Sequence, residues 1–196
     1  MTSSHIHRYQ DGLARCAGPK NDELYIEYHD TEWGVPVYGD DEMFERVVLE
    51  GFQAGLSWIT ILRRRENFRK AFKNFQIDKV LKFTEQDVNR LMLNDGIIRN
   101  RAKIISTINN AKITKDLQQD GISLSDLVWT FAPKRKLQPA KSFQWQATTT
   151  ESDALSRELK GLGFSFVGST TMYALMQAAG LVNDHAPGCF RRNELT

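Results

Sequence analysis

The chain has 196 residues, two cysteines and a formal charge of only +2. That length suits one domain with its own hydrophobic core, and 41% hydrophobic with 26% charged residues are the proportions of an ordinary globular protein, so neither a disulfide scaffold nor a disordered chain is expected. No apolar run approaches membrane-spanning length, the opening MTSSHIHRYQDG lacks the apolar stretch of a signal peptide, and two cysteines without an export signal point to a reducing cytoplasm.

In chain order the sequence reads as almost all helix. Residues 1–15 read as a polar extension whose His5 and His7 carry no assigned role. Asp40 and Asp41 are placed to cap a helix running through MFERVVLEGFQAGL, with Phe44, Val47, Val48 and Phe52 on its apolar face. WITILRRRENFRKAF predicts one or two further helices with Ile59, Leu62, Phe68 and Phe72 inward. Thr84 followed by Asp87 is a capping-box pattern opening TEQDVNRLMLN. KIISTINNAKITKDLQQ predicts a longer helix stopping at Asp120-Gly121, and SLSDLVWTF a short one. KRKLQPAKSFQWQATTT has no helical period, and Pro139 with the threonines predicts an extended loop. ESDALSRELKGLG and GSTTMYALMQAAG predict two last helices closed by glycine. Residues 191–196 are expected to be a tail.

Three constellations carry chemistry. The first joins the two ends. Cys16 and His29 are separated by twelve residues, His185 and Cys189 by three. Two thiolates and two imidazoles are the ligand set of a closed tetrahedral zinc site, which would be structural because four protein ligands leave no open position. The same residues are also compatible with buried free thiols and surface histidines, or with a Cys16–Cys189 disulfide. The second is Glu50 in LEGFQAGLSW, near the apolar side of its helix, with Tyr25, Tyr28, Trp33 and Trp58 around it. A glutamate there is either salt-bridged or lines a pocket. Rings plus one anion suit a flat cationic heterocycle. The third is LMLNDGIIRNRAKI, residues 91–104, a helix–turn–helix segment with Gly96 in the turn and Arg99, Arg101 and Lys103 after it. It resembles a helix-hairpin-helix, in which backbone amides grip a DNA phosphate without reading sequence; the usual second glycine is replaced by Ile98. Arg63–Arg65 and Lys134–Lys136 are further basic runs, each with a solvated face as the plainer reading.

Together YIEYHDTEWGVPV, LEGFQAGLSWITILRRRENFRKAF, LNDGIIRNRAKI and ESDALSRELKGLGFSFVGSTTMYALMQAAGLVNDH resemble the 3-methyladenine DNA glycosylase I family, from about Cys16 to Cys189. The resemblance implies an all-α helix-hairpin-helix glycosylase domain over residues 16–190, with a zinc-binding subdomain where the termini meet. It implies one structural zinc ion on Cys16, His29, His185 and Cys189. It implies a base pocket with Glu50 as the catalytic group, Tyr28 and Trp58 as base-binding residues, and Tyr25 and Trp33 as neighbouring walls. Gly96, Ile98, Arg99, Arg101 and Lys103 would contact DNA. The implied activity is hydrolysis of the N-glycosidic bond of N3-methyladenine in alkylated duplex DNA, without lyase chemistry, and a monomer is expected because a glycosylase of this size needs no partner subunit. Many members carry a tryptophan two residues after the first of these cysteines. Here that position is Gly18, so one pocket wall is either missing or supplied by another residue. Two other classes compete. A module that binds alkylated DNA without cutting it would share the zinc knot and hairpin and would bind equally well without Glu50. A zinc deaminase needs an open metal position and a C-x-x-C pair, and the chain has no such pair.

Overall fold

The computed structural model describes residues 5–134 and 137–195. Arg135 and Lys136, two thirds of the third basic run, therefore lie outside the described residues. The expected polar extension contains a β-hairpin: β1 (Ile6–Arg8) pairs antiparallel with β2 (Ala14–Cys16), placing Ile6 opposite Cys16. This small sheet is a departure from an all-α chain, and the rest is mostly helical. α1 (Glu23–Thr31) starts where the Asp22 carboxylate accepts the Tyr25 amide at 3.1 Å.

α2 (Asp40–Gln53) is the central helix, and its apolar face Phe44, Val47, Val48 and Phe52 is buried as its spacing predicts. Its N-cap is Gly39, not the aspartates. Asp40 instead reaches across the fold and caps another helix, accepting from the Ser123 hydroxyl at 2.6 Å and the Ser125 amide at 2.9 Å. Asp41 accepts the Ile77 amide at 3.0 Å, at the start of a one-turn helix. Both satisfy helix-end donors that the chain itself leaves open.

α3 (Trp58–Leu62) and α4 (Arg65–Ala71) follow, then α5 (Ile77–Val80) and α6 (Glu85–Met92), which opens on the expected Thr84–Asp87 capping box. α7 (Arg101–Gln119) ends before Gly121, whose φ of +79° turns the chain. α8 (Leu124–Trp129) leads into the predicted loop, and α9 (Thr150–Gly161) and α10 (Ser169–Ala178) close the bundle. α2 packs against α3, α7, α8 and α10, and α10 packs against α9. The apolar core is built on these faces, with Phe68, Phe72 and Phe75 fully buried beside Phe52. A second, small apolar cluster of Cys16, Phe143, Ala186 and Cys189 lies where the termini meet. The expected C-terminal tail is also structured: α11 (Arg191–Glu194) carries a buried Arg192 that donates to the carbonyls of His185 and Gln138, both at 2.5 Å.

Candidate active site and metal-ligand cluster

Cys16 ends β2, His29 projects from the last turn of α1, and His185 and Cys189 lie in the coil after α10. All four are buried, and their donor atoms lie within 4.8 Å of one another. His29 Nε2 is 3.2 Å from His185 Nδ1, Cys189 Sγ is 3.5 Å from each of these nitrogens, and Cys16 Sγ is 3.8 Å from His185 Nδ1. Donors 2.0–2.3 Å from a tetrahedral ion would be separated by about 3.3–3.8 Å. The cluster thus has the size and chemistry of a zinc-type site, and its thiols are not joined in a disulfide. The outer nitrogens are occupied as well. His29 Nδ1 is 2.7 Å from Asp30 Oδ1, and Arg15 grips the same carboxylate at 2.7–3.0 Å. His185 Nε2 is 3.1 Å from the Trp33 carbonyl. Such contacts orient imidazoles and set which nitrogen is free to ligate.

A cavity of about 510 Å³ opens beside this cluster. Glu50 reaches it from α2, Tyr25 and Tyr28 from α1, Trp58 from the start of α3, and Trp33 from the turn after α1. The expected pocket residues are therefore brought together. Trp33 belongs to both features, its ring stacking on His29 at 6.0 Å and meeting His185 edge-on at 4.6 Å. The Tyr28 and Trp58 rings are 5.3 Å apart, tilted by 44°. Glu50 is buried, and its Oε2 has no hydrogen-bond partner among the described residues; neither has Trp58 Nε1. Burial pushes the Glu50 carboxyl up to about 8, with Arg46 pulling the other way. Burial, and after it the Glu50 charge, also raises the Tyr28 and Tyr25 phenols, so both remain protonated donors. A buried carboxyl with Oε2 unpaired and an indole N–H without a partner among the described residues set one acceptor and one donor in a ring-lined cavity, the groups that recognise a flat polar heterocycle.

Gln53, one helical turn after Glu50, and Gln177 on α10 also line the cavity, as does Trp145 from the long loop. Sequence reading missed all three. The spacing of Gln53 from Glu50 was the one available signal; Gln177 and Trp145 arrive by tertiary packing. Gly18 is on the cavity wall with no side chain to offer.

The hairpin residues divide. Gly96 lies in the turn, its amide donating to Asn94 Oδ1 at 2.9 Å, and the adjacent Ile97 is buried while Ile98 packs partly against the core. Arg99 is exposed, and Arg101 pairs with Glu85 and Asn89 on α6. Lys103, expected to contact DNA, is placed differently from Arg99. Its side chain is turned inward, and Nζ donates to the carbonyls of Phe52 at 2.9 Å and Ala54 at 2.8 Å, closing the C-terminal end of α2. With its ammonium held by two carbonyls, Lys103 keeps only one N–H for any other partner. In the Arg63–Arg65 run, Arg65 clamps Glu32 bidentately at 2.6 and 2.7 Å and Arg63 pairs with Asp22 at 2.5 Å, so both are engaged within the protein.

Residues 18–192 match the family described as methyladenine glycosylase. DNA-3-methyladenine glycosylase 1 of Escherichia coli (strain K12) is 47% identical over 179 residues, 90% of this chain and 96% of that protein. DNA-3-methyladenine glycosylase of Haemophilus influenzae (strain ATCC 51907 / DSM 11121 / KW20 / Rd) is 43% identical over 177 residues, 89% and 96% respectively. A crystal structure of a 3-methyladenine DNA glycosylase I matches with a TM-score of 0.86 at 48% identity, over 90% of this chain and 98% of that one. A mutant 3-methyladenine DNA glycosylase I in complex with 3-methyladenine matches at 0.85 and 33% identity, over 91% and 97%.

Proposed function

The chain belongs to the methyladenine glycosylase family and is a DNA-3-methyladenine glycosylase of base-excision repair; we propose that it acts as a monofunctional hydrolase on alkylated duplex DNA, with Glu50 the anionic centre of the base pocket. The observation that carries this assignment is the Glu50 carboxyl, buried and unpaired at Oε2 in a cavity walled by Tyr25, Tyr28 and Trp58. N3-methyladenine in DNA is cationic, so it is a good leaving group and a good partner for a buried anion. The nucleotide must be extruded from the duplex, at a cost of a few kcal/mol of unstacking. Tyr28 and Glu50 then meet the edge of the base, and Trp58 its face. The bond between C1′ and the base nitrogen breaks, the electron pair leaves with the base, and the departing 3-methyladenine is neutral. Water adds to C1′ and loses a proton. A carboxylate at Glu50 stabilises positive charge on the base before cleavage and on the sugar during it. Among the described residues no lysine lines the cavity, which supports hydrolysis without strand-cleaving lyase chemistry.

Cys16, His29, His185 and Cys189 hold one structural zinc in this reading, as their 3.2–3.8 Å donor spacings support. When bound, the ion ties the two ends of the chain together and so fixes Trp33 at the pocket wall. Residues 91–104 serve in this reading as a helix-hairpin-helix type grip on backbone phosphate, through the Gly96 turn, Ile98, Arg99 and Arg101 but not Lys103, and this segment is what supports counting the chain with the helix-hairpin-helix glycosylases. It works as a monomer in the cytoplasm, and no helix among the described residues is long and apolar enough to cross a membrane.

The test is release of free base from methylated duplex DNA, with products separated by chromatography. Wild type should free 3-methyladenine and leave 7-methylguanine in place. Glu50→Gln should be impaired by about 10²-fold or more while remaining folded. A Glu50→Gln enzyme that excises at the wild-type rate would remove Glu50 from the mechanism, and equal release of both bases would remove the selectivity.

A further inference from the structure

Trp145 lies in the long connection between α8 and α9, and it is the ring on the cavity wall that the sequence did not announce. It is 40% exposed, unlike buried Trp58. Its indole N–H already has a partner, the Asp184 carbonyl at 3.1 Å. Its ring meets His5 edge-on at 4.8 Å and Phe143 at 5.7 Å. The His5 carbonyl in turn accepts the Ala17 amide at 2.9 Å, so the indole is tethered beside the segment leading to Gly18. At Gly18 the wall is bare backbone: a Cβ there would meet only the Tyr25 hydroxyl, at 3.8 Å. An aromatic ring fixed by its N–H and its edge contacts, yet left open toward a pocket, is placed to bind rather than to fill the core.

We propose that Trp145 is a base-stacking residue of this enzyme, covering from the loop side the face of the extruded base that Gly18 leaves uncovered. The inference rests on the assignment of the pocket to 3-methyladenine. A flat cationic heterocycle between Trp145 and the rings of α1 and α3 gains cation–π attraction on both faces. Neutral adenine gains less, so Trp145 contributes to selectivity as well as affinity. The loop would also have to hold its position for the base to bind, and the Trp145–Asp184 bond provides that hold next to His185.

The test is titration of the folded protein with free 3-methyladenine, followed by calorimetry and tryptophan fluorescence, for wild type, Trp145→Leu, Trp145→Phe and Glu50→Gln. Trp145→Leu keeps apolar packing on His5 and Phe143 but offers no ring. It should weaken binding about tenfold or more, the range found when base–aromatic stacking is removed. Trp145→Phe should restore most of that loss while part of the base-induced change in emission disappears. Trp145→Leu binding within twofold of wild type would overturn the proposal, as would equal loss in the Leu and Phe variants, which would mark the N–H tether as the only role. The free base is neutral, so this titration reads ring stacking without the charge; failure of wild type to bind 3-methyladenine or to release it from methylated duplex DNA would instead overturn the underlying pocket assignment.

Discussion

Glu50 is held in a cavity that favours its neutral form, and that has opposite consequences for stability and for function. In the folded protein the carboxyl titrates near 8, against an ordinary value of 4.5. Between those values the native state binds the proton that the unfolded chain has released, so folding stability falls as pH rises through that window. The full shift corresponds to a few kcal/mol. Glu50→Gln should therefore melt at or above the wild-type temperature at pH 8, with a flatter pH dependence, even as excision collapses. A variant that melts well below wild type at pH 8 would mean that Glu50 supports the fold rather than straining it. Activity has the opposite slope. The base is a cation and its partner must be a carboxylate, so kcat/KM should rise with pH and level off above about 8, the value of the free enzyme. A profile flat from pH 6 to 9 would count against ionised Glu50 as the acting form.

Two helix ends decide how the pocket is presented. α2 brings Glu50 and Gln53 to the cavity and must then stop so that Trp58 can turn back toward them; Lys103, reaching over from α7, holds the Phe52 and Ala54 carbonyls at that stop. Lys103→Met should cost about 1–3 kcal/mol, because the buried Phe52 carbonyl and the Ala54 carbonyl lose a charged donor. It should leave the salt dependence of DNA binding unchanged, whereas Arg99→Ala should reduce that slope by about one charge. The reverse pattern would restore Lys103 to the DNA face. The end of α10 is equally constrained. Gly180 has φ +77°, and a Cβ there would lie 2.7 Å from the Gly34 carbonyl oxygen and the Pro36 nitrogen. Gly180→Ala should lower stability by more than about 2 kcal/mol, observable as a fall of about 5 °C or more in Tm. Gly34, also at positive φ, follows Trp33 and packs against His185, so the same contact carries α10 to the metal-ligand cluster.

Across the whole molecule, the hairpin at one end and the coil before α11 at the other close a loop of more than 150 residues through four donor atoms. Closing so long a loop is entropically costly, and a metal clip offsets it. Purified protein should carry one zinc per chain by elemental analysis. Chelation, or Cys189→Ser, should lower Tm by about 10 °C or more. Hydrogen exchange should rise first at the hairpin and the coil around His185, with α2 and α10 opening later. Loss of activity on chelation with Tm unchanged would point to a catalytic ion and sink the structural assignment.

Much of this was legible in one dimension because its physics is local or carried by residue type. Helical spacing along α2 marked its buried face, Thr84 and Asp87 marked the start of α6, and Gly121 marked the end of α7, since each depends on neighbours a turn or less away. Cysteine and histidine at matched spacings nominated the metal-ligand cluster, and an acid among rings nominated the pocket. What local pattern could not supply was the direction in which an otherwise similar side chain points. Arg99 and Lys103 are four residues apart and equally cationic, yet one faces solvent and the other caps α2, because α7 packs with that side toward the core. Asp40 looks like the cap of its own helix and caps α8 instead. Residues 5–16 and 191–195 look like polar ends and are structured, because the hairpin, the buried Cys/His cluster and the Arg192 contacts pack the two ends together. Trp145 joins the pocket through a bond to a residue 39 positions away, a pairing that burial and chain closure select and no periodicity encodes.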